Sequence, residues 1–61
     1  MPKEEMLVEL RERVGRADDA IKTARAELKT AERAGIDIDA QQARLNEVAE
    51  KVKRVKTAYG I

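Results

Sequence analysis

The chain has 61 residues, 41% of them charged and 43% hydrophobic, with one aromatic, one proline, no histidine and no cysteine. A formal charge of +1 supplies no general attraction for a polyanion. The missing histidine and cysteine exclude disulfides, thiolate chemistry and the usual base and zinc ligands, leaving the expectation of a non-enzymatic chain with no cofactor and no metal.

This composition belongs to a helical or coiled-coil chain rather than a sheet protein, so one all-α domain over residues 1–61 is expected. A single core of this size rarely offsets the entropy of ordering the chain. With no disulfide or metal to help, association with another chain is the remaining source of stability. No signal-peptide pattern opens the sequence, and its apolar runs, such as Met6-Leu7-Val8, are far too short to span a bilayer. The expectation is a soluble, cytoplasmic protein with no membrane partner.

Pro2 suits a first helical turn, and Glu4 and Glu5 sit where the helix dipole favours negative charge. From there Leu7, Leu10, Val14, Ala17, Ile21, Ala24, Leu28 and Ala31 alternate steps of three and four residues, the seam of one helix wound against a partner. Gly15 is the one interior residue that argues for a break, at a cost of about 1 kcal/mol relative to alanine. The seam keeps its phase across Gly15, which favours continuity. The sequence therefore predicts a first helix over residues 3–34, ended by Gly35, which can adopt a left-handed conformation.

A linker over residues 35–39 follows. Asp39 is expected to cap the second helix, with Gln42 completing a capping-box spacing and Ile38 acting as an apolar staple. The rhythm resumes at Ile38, Gln41, Leu45, Val48, Val52, Val55 and Tyr59, predicting a second helix over residues 40–59 stopped by Gly60. So short a connection makes the two helices antiparallel neighbours in an αα-hairpin.

Folding the hairpin about Ile38 brings together residues whose numbers sum to about 76. The expected hairpin core then layers Ala31 on Leu45, Leu28 on Val48, Ala24 on Val52, Ile21 on Val55 and Ala17 on Tyr59. In that register Glu27 comes near Lys51 and Asp18 near Lys56. Met6, Leu7, Leu10 and Val14 extend beyond the second helix and become the expected oligomer interface. A homo-oligomer, with a dimeric four-helix bundle favoured, is the simplest way to cover them, and a helix from another protein is the alternative.

Lys51, Lys53, Arg54 and Lys56 place four cations within six residues and are candidate nucleic-acid contacts. Cations near a helix carboxyl end also complement the dipole, and the single aromatic offers little stacking, so nucleic acid is the less favoured partner. The scarcity of asparagine, glutamine and aromatics beside many candidate ion pairs is compatible with a thermophilic source.

In hairpin length and in its seam of small and large residues, the chain resembles the Rop-type plasmid copy-number regulators. That resemblance implies a helical hairpin that dimerises into a four-helix bundle and binds paired RNA loops. It carries no RNA-contacting residue across, because it rests on architecture and not on a motif. Two expectations follow: a small assembly or protein-interaction module acting through its seam, or a nucleic-acid-binding regulator using the basic cluster.

Overall fold

The computed structural model describes residues 2–61, with side chains from Lys3 onward. It contains two helices, α1 over Pro2–Arg33 and α2 over Asp39–Tyr59, packed against each other as a hairpin. Helix α1 runs unbroken through Gly15. A Cβ built on Gly15 would have no neighbour within 4 Å, so its place on the outer surface costs only helix propensity and no packing.

Both helices stop at a glycine in the left-handed conformation. Gly35 has φ +85°, its N–H donates to the Glu32 carbonyl, and the Ile36 N–H donates to the Ala31 carbonyl. This paired arrangement satisfies carbonyls that the end of a helix leaves without partners. At the end of α2, Gly60 has φ +69°, and the N–H groups of Gly60 and Ile61 both donate to the Lys56 carbonyl.

The start of α2 differs from expectation. Asp39 is already helical, and the side chain that receives its N–H is Asp37, whose Oδ1 accepts at 3.0 Å. Asp37 thus forms the short Asx turn that leads into the helix. Ile38 supplies the carbonyl for the first helical bond, from the Gln42 N–H at 2.8 Å. It is one of two buried apolar residues among those described, 7% exposed.

Because α2 starts one residue early, the turn between helices is centred on Ile36 rather than on Ile38. The register moves by about one helical turn. Arg25 reaches Asn46 and Asp18 reaches Lys56, pairs whose numbers sum to 71 and 74 instead of 76. Tyr59 consequently shares a concavity with Met6, Glu9, Leu10 and Arg13, a turn beyond the expected layer on Ala17.

The hairpin measures 51 × 15 × 12 Å, with a radius of gyration of 14.6 Å. A compact domain of this length would have about 10.5 Å. Most of the seam is therefore only half covered: Val14 and Ile38 alone are buried apolar residues among those described. The two helices shield one another along a line that separates two long flanks.

Candidate functional site

The two long faces follow from the heptad. Residues that immediately follow a seam position lie on one flank, and residues that immediately precede one lie on the other. Asp18 and Arg25 follow Ala17 and Ala24 on α1, while Asn46 and Lys56 follow Leu45 and Val55 on α2. All four meet on the first flank. Lys56 forms an ion pair with Asp18, and Arg25 Nη1 donates to Asn46 Oδ1 at 3.1 Å. That flank is bridged by polar groups.

Among the described residues, the opposite flank carries no such bridge. There Ala24, Leu28 and Ala31 of α1 and Gln41, Leu45 and Val48 of α2 line a shallow groove of about 510 Å³. Glu27 and Arg44 stand on its two walls. Two of the expected core residues project from the hairpin: Val48 is 44% exposed and Tyr59 is 50% exposed. Helix α2 is turned slightly about its axis, so that Ala49 is half-buried while Val48 faces outward. Alanine at 49 lets the helices approach on the bridged side and opens the apolar side.

The remaining expected core residues, Ala17, Ile21, Ala24, Leu28, Ala31, Leu45, Val52 and Val55, are all half-buried. Each retains accessible apolar surface. The four residues expected to overhang fare differently, because the shifted register carries α2 further along α1. Val14 is buried at 9% exposure, so it does not extend beyond the hairpin as expected. Leu7 and Leu10 are half-buried, and Met6 is 51% exposed. The overhang is thus reduced to about the first two turns of α1.

The basic cluster is divided by the helix geometry. At about 100° per residue Lys51 and Lys53 stand roughly 160° apart around α2, on opposite flanks. Lys53 and Arg54 share the outer surface with Glu50, Thr57 and Ala58, and Lys56 is engaged by Asp18. The expected pairing of Glu27 with Lys51 is absent among the described residues, since the shift brings Glu27 to the level of Arg44. Among the described residues, no helix is long and apolar enough to cross a membrane.

Sequence reading missed the groove wall at Arg44 and the bridge from Arg25 to Asn46. The signal was present in the flank positions, and only the axial level was lacking. Compared with known proteins, no family model matches the chain. Neither a curated protein nor a solved structure matches it.

Proposed function

We propose that this chain is a helical assembly module whose working surface is the apolar flank of the hairpin, and that its partner is a second copy of itself. The observation that carries this reading is surface area. The chain exposes 5234 Å² at a mass of 6.9 kDa. A compact monomer of that mass exposes about 4,000 Å². The excess, about 1,200 Å², exceeds the roughly 800 Å² that one partner contributes to a standard interface.

The excess is chemically uneven, which makes it a docking surface rather than a mere consequence of length. One flank is bridged by polar pairs, while the other presents Val48, Leu28, Leu45 and the small side chains of Ala24 and Ala31 around an open groove. Packing a second hairpin there yields the four-helix arrangement in which each half-buried seam residue gains cover on its second side. Each fully covered leucine or valine contributes about 1.5–3 kcal/mol, a large share of the stability expected at this size.

Sedimentation equilibrium tests this directly. A dimer is expected at micromolar concentration, and a chain that stays monomeric at high micromolar concentration would overturn the reading. Replacing Leu7 and Leu10 by glutamine should weaken the dimer, since both retain accessible surface in the hairpin. The nucleic-acid reading draws less support from the geometry, because its four cations do not share a face. Salt-sensitive binding to duplex DNA or structured RNA, lost in Lys53→Glu or Arg54→Glu, would reinstate it.

A further inference from the structure

The arms of the hairpin are unequal, 32 residues in α1 against 21 in α2, and this difference restricts how two copies can meet. A closed dimer requires a two-fold axis lying in the interface. If that axis ran along the bundle, both loops would sit at one end and α1 would lie across from the partner's α2. Because Tyr59 already sits beside Leu10 and Arg13, the end of α2 could not reach the first turns of α1. Met6 and Leu7 would stay uncovered. If the axis instead runs across the bundle, each α1 lies antiparallel on the other α1 along nearly its whole length.

Charge supports the crossing arrangement, in which the two α1 helices face each other. Residues 1–20 carry six acidic and four basic side chains, whereas residues 21–34 carry two acidic and four basic. Antiparallel docking sets the acidic half of each α1 against the basic half of the other. Parallel docking would set like against like.

The register follows from the flank itself. Met6, Arg13, Ala20 and Glu27 recur every seven residues on the open side of α1, and Ala34 continues the spacing just past its end. Met6 and Arg13 line the concavity beside Tyr59, and Glu27 lines the groove. Neither Arg13 nor Glu27 has an ion-pair partner among the described residues. The stripe has one antiparallel alignment in which every charge meets its opposite. In it Arg13 faces the partner's Glu27, Met6 faces the partner's Ala34, and Ala20 falls at the centre.

Resting on the assembly reading above, we propose that the chain forms a two-fold dimer with its loops at opposite ends, the axis passing beside Ala20 and Arg13 pairing with the partner's Glu27. Alanine at the centre lets the two α1 backbones approach closely. This ion pair forms twice by symmetry. At the ends, the small side chains around Ala31 and Ala34 receive the long, flexible side chain of Met6.

The absence of native cysteine makes the test clean. Ala20→Cys is exposed in the single hairpin but lies next to its own symmetry mate in this dimer, so a short thiol-reactive linker should join two chains efficiently. Arg33→Cys, at the loop end, should not self-link, because its two copies are about 40 Å apart at 1.5 Å per residue. Arg13→Glu or Glu27→Arg alone should raise the dimer Kd by up to about tenfold, and the two together should return it to within about threefold. A dimer in which Arg33→Cys self-links and Ala20→Cys does not would overturn this arrangement while leaving assembly intact. A dimer whose Kd the charge swap fails to restore would overturn the register. A monomer by sedimentation would overturn assembly itself.

Discussion

The two flanks of this hairpin are made from the same heptad and differ in one respect: which residues stand beside the seam. On the bridged flank Asp18 meets Lys56 and Arg25 meets Asn46, all exposed or half-buried, so their polar groups remain near water while joining the helices. On the other flank the helices part around Ala24, Leu28, Ala31, Leu45 and Val48, and none of the described residues fills the space. Polar bridges of this kind add little energy but fix which side is closed. The consequence is a hairpin with a finished side and an unfinished one. Small helical chains commonly reach stability through such incompleteness, by leaving part of their core to a second chain.

Val48→Glu breaks the comparison most severely. Val48 faces outward in the hairpin, so the carboxylate is tolerated in one chain but would be buried without a partner in the proposed dimer. The dimer Kd is expected to rise by about 100-fold or more, equivalent to about 3 kcal/mol, while helicity at low concentration stays near that of the parent. Sedimentation and circular dichroism on one sample check both statements. A variant that dimerises as well as the parent would place the working surface elsewhere.

Gly35→Ala tests whether the turn sets the faces. At φ +85° an alanine is strained by about 1–2 kcal/mol, though nothing lies within 4 Å of a Cβ there. The expected fall in Tm is on the order of 4–16 °C for a chain this small, read by thermal denaturation. A neutral outcome would mean that the turn is not held in the left-handed conformation and that the register has other determinants.

How much of this was legible beforehand depends on what kind of information a seam carries. The spacing from Leu7 to Ala31 and from Ile38 to Tyr59 specifies which faces meet, and the structure has those two helices with ends displaced by a single residue. It does not specify axial level. Sliding one helix by a turn again sets small against large, as Ala24 can meet Val48 as readily as Val52. The turn sets the level, and there Asp37 and Asp39 compete as the residue that leads into α2, whose N-cap position, Ile38, carries no side-chain cap. Both fit the helix-start pattern, and only the hydrogen bond from the Asp39 N–H to Asp37 distinguishes them. The expected neighbourhood of Asp18 and Lys56 survived the shift because long side chains tolerate an error of a few ångströms. Glu27 with Lys51 did not, and the burial of Val14 was missed for the same reason.

Gly15→Ala provides a control that leaves both flanks untouched. Gly15 lies on the outer surface of α1 with no neighbour to obstruct a methyl group, so the change should stabilise the helix by about 0.5–1 kcal/mol. An increase in Tm of roughly 2–8 °C, with an unchanged dimer Kd relative to its own folded monomer, is the expected result. A destabilised variant would mean that α1 needs a kink at Gly15, which its unbroken hydrogen-bonded course argues against.

The smallest effect is expected on the bridged flank. The Asp18 and Lys56 side chains are 40% and 38% exposed, so water screens their attraction and the pair contributes well under about 1 kcal/mol. Asp18→Ala and Lys56→Ala should each lower Tm by a few degrees at most, and a double-mutant cycle should return a coupling of about 0.2–1 kcal/mol that shrinks as salt is raised. The dimer Kd should scarcely change in any of the three variants, because this flank faces away from the proposed interface. A large rise in Kd with an unaltered monomer would exchange the roles of the two flanks. The groove beside Val48 would then be incidental, and the polar bridge would be the place where a second chain is held.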